Sequence, residues 1–273
     1  MYKKFFVLAL CVSILACSCA ANAEGLKISI LSKSQVNEHF NTKASLESSW
    51  LWSLMSREHG EYDEYIDAED LTSMIMAFES GKVNEIDLPQ IVAEYVLAQN
   101  PNYEVCCVMR AENIYFAFGF LKEKNAVLWQ NFNYALRLLR QNGTLQDLQE
   151  KYLANPGQNT PESIKFDSFP NAQTVKFAVT GDIPPIDYTA ADGTPAGFNA
   201  AILAEIGRIL KINIEIINVQ AGAKTAALTS GRADGVFWYM VSTNKEHRFV
   251  DDKIILTSDP YYMFNIFVHL RKK

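Results

Sequence analysis

Few side chains in this 273-residue sequence stand in a pattern that does chemistry by itself. Asp182 lies in Asp182-Ile183-Pro184-Pro185-Ile186-Asp187-Tyr188, a proline-stiffened turn able to hold a carboxylate in place, although a turn aspartate bonding its own backbone fits the same residues. Trp238 and Tyr239 close an apolar run. Successive strand residues face opposite ways, so only one of the two rings is expected on a given surface. Cys106 and Cys107 are adjacent, which strains an ordinary disulfide, and two small packed residues are expected there instead. His39, His59, His247 and His269 are scattered without metal-ligand spacing. No glycine-rich phosphate loop and no Gly-x-Ser-x-Gly nucleophile turn occurs. These patterns call for no metal, no cofactor and no covalent nucleophile.

The elements that must position such residues begin after residue 23. Lys3 and Lys4, the apolar run Phe5 to Ala16 and the small residues up to Ala23 form a secretory signal, too short to be a membrane span. Ala21-Asn22-Ala23 before Glu24 fits ordinary cleavage, whereas Ile14-Leu15-Ala16-Cys17 resembles a bacterial lipobox that would place a lipid on Cys17. Cleavage before Glu24 takes the net charge from −6 to −8. An acidic chain has no positive surplus for nucleic acid, so no nucleic-acid partner is expected. Hydrophobic residues make up 49% of the chain, enough for a packed core over a length that suits two lobes.

Periodicity predicts strands at Lys27–Leu31, Ile86–Pro89, Tyr103–Met109, Ile114–Leu121, Val175–Thr180, Asn213–Val219 and Gly235–Met240. Helices are expected from Asp67 to Gly81, over Gln90–Ala98, over Ala126–Gln141, from a Thr144/Asp147 capping box to Leu153, over Asn199–Leu210 and over Lys224–Ser230. Residues 154–173, with three proline-bearing turns, form the best linker. Strands alternating with helices on both sides of it predict an α/β fold. Glu58–Asp70 reads as a solvated acidic face, and Trp50 and Trp52 read as packing residues or a partner contact.

After the linker, Asp182 to Tyr188, Asp192-Gly193, Gly197-Phe198-Asn199, Ala227 to Asp234 and Ser258-Asp259-Pro260-Tyr261-Tyr262 follow one another in an order and spacing that resemble the first lobe of family 3 extracytoplasmic solute-binding proteins, the receptors of polar amino-acid ABC transporters. Ser80 to Asn84, Ala93-Glu94-Tyr95 and Asn142-Gly143-Thr144 leading to Lys151-Tyr152 resemble that family's second lobe and closing helices. The resemblance implies a two-lobed, type II periplasmic-binding-protein-like fold, each lobe a mixed sheet flanked by helices. The lobe order is inverted, as in a circular permutation. The implied division is a signal at 1–23, a second-lobe-like part at 25–110, a return strand and closing helices at 111–153, the linker at 154–173 and a first-lobe-like part at 174–273. A tandem remnant completed by another chain is the competing account.

What the resemblance implies is a non-enzymatic receptor for a small polar solute, an amino acid, working with the membrane permease of an ABC transporter outside the cytoplasm. Contact with the membrane itself would come only through a lipid on Cys17. Such a ligand needs a cation or helix-start amides for its carboxylate, a carboxylate for its ammonium and aromatic walls for the rest. The residues placed at the ligand are Asp182, Tyr188, one of Trp238 and Tyr239, Ser32 and Ser34 in the first turn, and Asp87 for the ammonium. Thr243 and Arg248 match the family's Thr-x-x-x-x-Arg clamp only with two residues inserted after Trp238; otherwise Glu246 takes the Arg position. A dehydratase-like enzyme using Asp87 or Asp182 as its acid, or a sensor without a ligand, are the alternatives.

Overall fold

The computed structural model describes residues 42–46, 64–68, 70–157, 162–242 and 253–273, with backbone only for 42–46, 64, 65, 67, 111–113, 221, 238–240 and 242. The signal segment, the strand expected at Lys27–Leu31, Ser32, Ser34, Trp50, Trp52, Thr243, Glu246 and Arg248 lie outside the described residues.

The chain forms the mixed α/β fold that the alternation of periods predicts. Eight strands follow one another across the main sheet in the order β2-β1-β3-β12-β4-β10-β5-β9, and β11 (Ile255–Thr257) pairs with β4 beside them. The N-terminal part supplies β1 (Thr42–Leu46), β2 (Glu64–Ala68) and β3 (Glu85–Pro89), all parallel, with helices α1 (Leu71–Glu79) and α2 (Gln90–Gln99). The C-terminal part supplies β5 (Thr174–Val179), β9 (Asn213–Asn218) and β10 (Gly235–Ser242), again mutually parallel, with α5 (Phe198–Leu210) and the short α6 (Lys224–Thr229). Two long antiparallel strands, β4 (Tyr103–Leu121) and β12 (Tyr262–Lys272), run through both parts and hold them in one sheet.

The sequence predicts two strands within Tyr103–Leu121, and the structure has one. The polar stretch Arg110-Ala111-Glu112-Asn113 breaks the apolar pattern but not the pairing. β12 follows β4 along its length and absorbs the irregularity as a register shift, with Phe264 opposite Ile114 and Ile266 opposite Arg110. The expected opening of α1 at Asp67 is also corrected: residues up to Ala68 belong to β2, and Asp70 is the N-cap.

Helices α3 (Lys122–Gln141) and α4 (Thr144–Leu153) precede residues 154–173 in the chain but pack against α5 of the C-terminal part. Their side chains fasten the segment before β12: Trp129 Nε1 donates to Thr257 O at 2.7 Å, the Asp259 amide to Asn133 Oδ1 at 2.7 Å, and Gln149 Nε2 to Tyr261 O at 3.1 Å. Asn142-Gly143 is the predicted break, with Gly143 at φ 85°. The Thr144/Asp147 capping box does not form; Asn142 Oδ1 instead accepts from the Thr144 amide at 3.0 Å. Under these helices lies an aromatic centre of Phe118, Phe120, Phe132, Phe177 and Phe237, all at most 1% exposed. Each such ring contributes on the order of 2–3 kcal/mol by leaving water. The remaining small sheet, β6 (Asp182–Ile183), β7 (Asp187–Thr189) and β8 (Pro195–Ala196), is antiparallel and folds the proline turn back on itself.

Candidate functional site

In open α/β sheets ligands bind outside the carboxyl ends of the strands. Here the carboxyl ends of β5 and β9 face the start of α1, which follows the carboxyl end of β2. Between them lies a cavity of about 420 Å³, lined by Asp70, Thr72, Ser73, Thr180, Asp182, Asn218, Val219 and Gln220. Its lining residues bring three hydroxyls, two carboxylates and two amides to the cavity, set among apolar surface.

Each side of the cavity is built locally. Val175, Phe177 and Val179 anchor β5 by pointing into the core, so the chain leaves the sheet at Thr180 in a fixed direction. Gly181 then turns at φ 73°, and a Cβ there would lie 2.9 Å from Thr189 Oγ1 and 3.0 Å from Asn218 Oδ1. Only glycine lets the turn close against both. The Thr189 amide donates to Gly181 O at 2.8 Å, and Tyr188 pairs with Asp182 across β6 and β7. Asp182 is thus fixed at the rim by the strand end behind it and the hairpin beside it.

Opposite, the extended backbone of Asp70 turns its side chain onto the helix start, where Oδ1 accepts from the Ser73 amide at 2.6 Å. Its charge also complements the helix dipole. The Leu71 amide, another exposed donor of the first turn, donates to Asp182 Oδ2 at 2.7 Å. Asp182 Oδ1 is shielded from water and has no hydrogen-bond partner among the described residues.

Beneath the rim, Asp187 and Lys224 are 4% and 5% exposed. Burial raises the Asp187 carboxyl to about 6, against the pull of Lys224 and the backbone amides of Gly181 and Thr180. The Thr180 hydroxyl donates to Asp187 Oδ2 at 3.4 Å. Burial lowers the Lys224 ammonium, opposed by the charges of Asp187 and Asp182, and Nζ donates to Phe237 O at 3.3 Å. Asp182 is also raised, first by burial and then by the like charge of Asp70, against the Leu71 amide. Behind the cavity, the buried Lys224 side chain therefore lies near two carboxyls whose burial resists ionisation.

Of the residues expected at a ligand, Asp182 lines this cavity. Tyr188 does not; its ring, raised by burial to about 12, senses the phenols of Tyr95 and Tyr152 instead. Trp238 and Tyr239 lie in β10, where the backbone alone is described, beside a register shift between Val236 and Tyr239. Thr243, Arg248, Ser32 and Ser34 fall outside the described residues. Asp87 is fully buried within β3, opposite His269 of β12, and is not among the residues lining the cavity. The alternation of β3 turns Glu85 and Asp87 together toward His269.

Sequence reasoning passed over Asp70, Thr72, Ser73, Thr180, Asn218 and Gln220 as site residues, along with Asp187 and Lys224 beneath them. The usable signal was positional: Thr180 and Asn218 stand at the ends of strands that the periodicity does predict. Among the described residues no cluster of three or more His, Cys, Asp or Glu side chains could hold a metal ion, and no helix is long and apolar enough to cross a membrane.

Residues 175–273 match the family of bacterial extracellular solute-binding proteins, family 3, which upholds the resemblance read from Asp182 to Tyr262. No curated protein matches the chain. Among solved structures, the ligand-binding component of an ABC-type import system from Staphylococcus aureus, with zinc bound, is 13% identical at a TM-score of 0.42, over 84% of this chain and 65% of that one. The periplasmic aliphatic sulphonate-binding protein SsuA from Escherichia coli is 8% identical at 0.38, over 85% and 64%. The VFT2 domain of Bordetella pertussis BvgS, a double mutant, is 9% identical at 0.37, over 85% and 79%. The chain thus spans just under two thirds of the length of the first two. Likeness at this level carries no argument about ligand or partner.

Proposed function

We propose, from the premise that residues 175–273 carry a family 3 solute-binding sequence, that the protein is an extracytoplasmic receptor. It captures a small polar solute, an amino acid, between its two parts and delivers it to the permease of an ABC transporter. The observation that carries this reading is the cavity bounded by elements of both parts, with the polar side chains of Asp182 and Asn218 on one side and Asp70, Thr72 and Ser73 on the other. A solute touching both sides favours the closed arrangement over the open one by the contacts it makes only there. Asp182 Oδ1, shielded and unsatisfied, suits an ammonium donor. Arg248 supplies the carboxylate clamp in this reading.

The inverted lobe order is part of the proposal. It is supported by α3 and α4, which pack on the C-terminal part although they precede residues 154–173. A monomer in solution is the expected state, and a strand-exchanged dimer would replace the permutation with the tandem account.

Thermal unfolding against amino acids, small peptides, polyamines and prephenate tests the receptor. A solute at about 100 times its dissociation constant adds about 2.7 kcal/mol to the folded state. A shift confined to amino acids, abolished by Arg248→Ala, supports the assignment. No shift with any compound would reject it in favour of a sensor or partner-binding module. A second reading rests on Asp182 as a carboxyl lining the cavity: burial there favours its protonated form, which a dehydration would use as proton donor. Turnover of prephenate, lost in Asp182→Asn, would select it.

A further inference from the structure

Asp182 is the outer member of a set of charges that continues into the interior. The hairpin of β6 and β7 carries Asp182 and Asp187 on its two strands, and Lys224 opens α6 beside them. Asp187 and Lys224 are buried, whereas Asp182 lines the cavity. The hydrogen bonds of the set go to neutral groups. Lys224 Nζ donates to Phe237 O at 3.3 Å, the Thr180 hydroxyl to Asp187 Oδ2 at 3.4 Å and the Leu71 amide to Asp182 Oδ2 at 2.7 Å. The charges that act on the three are one another's and that of Asp70 at the start of α1.

One ammonium thus stands against two carboxyls. With both carboxyls ionised the three groups carry one net negative charge away from water, and with one proton added they are neutral. An ionised Asp187 offsets the buried ammonium but pays for its own desolvation, so the two proton counts lie close in free energy. Burial holds the Asp187 carboxyl at about 6, which puts the exchange near neutral pH. Only Asp182 meets the cavity. A charge placed against it acts on Asp187 through protein, where ions and water screen it little.

We propose that Asp182, Asp187 and Lys224 form a proton-linked set: a cationic group held against Asp182 expels the proton from Asp187, so the cavity binds such a group more tightly as pH rises. This rests on the reading of the cavity as the solute site and adds its regulation. By reciprocity, protons and the ammonium of a solute compete, although they bind at different carboxyls. Lys224 is the positioning residue of the set. Its charge keeps Asp187 close to ionisation; a neutral side chain in its place would leave Asp187 protonated and the cavity without the link.

The coupling is read first without a solute. Carboxyl-carbon NMR of aspartate-labelled protein follows Asp187 between about pH 4 and 8, and circular dichroism verifies that each variant is folded. Asp182→Asn removes a like charge and is expected to lower the Asp187 midpoint by about half a pH unit or more. Lys224→Met raises the midpoint, and Lys224→Arg restores most of the parent value. The same midpoint in parent and folded Asp182→Asn overturns the proposal, whether or not the Lys224 variants fold. Methylammonium chloride, with sodium chloride at equal ionic strength as control, then probes the cavity. It is expected to move the Asp182 resonance, to lower the Asp187 midpoint, and to bind about fivefold or more tightly at about pH 7.5 than at about pH 5. Asp187→Asn removes most of that ratio. Binding at Asp182 that leaves the Asp187 midpoint in place also overturns the link. If methylammonium leaves Asp182 unmoved while Asp182→Asn still shifts Asp187, the internal coupling stands and the reading of the cavity as the solute site fails.

Discussion

Two places in this molecule keep ionisable side chains away from water, and they do so to different ends. At the cavity, Asp182 stands just past the carboxyl end of β5 and lines a space of about 420 Å³, while Asp187 at the start of β7 and Lys224 at the start of α6 lie buried behind it. Inside the sheet, Glu85 and Asp87 of β3 and His269 of β12 are each at most 1% exposed, with His269 Nδ1 against Glu85 and Nε2 3.9 Å from Asp87 Oδ1. The residue types are alike: carboxylates with one basic group. Access to the cavity separates them. A carboxylate at the cavity rim has room to exchange partners, whereas one between β1 and β12 is held inside the sheet. A buried charge set of the second kind serves pairing of the strands more than recognition.

The largest expected effect tests the set inside the sheet. His269→Ala leaves two carboxylates in the interior without the imidazole between them and costs about 3–5 kcal/mol in urea unfolding. Solute affinity in the surviving folded protein stays unchanged; a loss of affinity without a loss of stability would merge the two regions into one site.

The next tests the carboxyl behind the cavity through pH. The folded Asp187 carboxyl, at about 6, lies above its ordinary value of 3.8. Between about pH 4 and 6 the folded chain therefore holds a proton that the unfolded chain has released. Stability falls as pH rises through that window, by at most about 3 kcal/mol from this group, and its contribution is flat above it. Asp187→Asn removes this slope. An identical slope in the variant would show that another group carries it.

Gly181→Ala forces a left-handed backbone on a side chain that meets Thr189 and Asn218, at a cost of about 1–3 kcal/mol, with solute binding weakened in the same variant. The smallest effect belongs to Tyr188→Phe. Because Tyr188 does not line the cavity, calorimetry is expected to find a change in solute affinity below about 0.5 kcal/mol. A larger change would extend the site toward Tyr95 and Tyr152.

How far the sequence carries depends on whether a feature is local. The apolar face of α5 and the buried alternation of β5 are written within a dozen residues, and both are found where periodicity places them. The continuity of β4 is not local: its pairing partner β12 lies more than 140 residues away, so Arg110 to Asn113 read as a break. Asp182 was legible because its turn is stiff and its surroundings resemble a known family. Asp70 was legible as a helix-start acid but not as half of a cross-molecule cap. Lys224, at the start of a short helix, carries nothing in its neighbours that announces burial. The burial of Asp87 was not legible, because mid-strand aspartate and strand-end aspartate look the same in a sequence, and its partner across the sheet, His269, is 182 positions on.

The place of β12 in the sheet bears on how this chain reaches its fold. It lies between β3 and β4, both complete by Leu121, and its His269 meets Glu85 across 184 positions. Until β12 is made, β3 and β4 cannot be neighbours in the native sheet, and each shows an unpaired edge rich in apolar residues. Such edges invite pairing with other chains, and closure over so long a span is slow. A chain built this way gains from being kept unfolded until its later strands exist, so a holding chaperone during synthesis should raise the yield of folded protein more than any faster local step would.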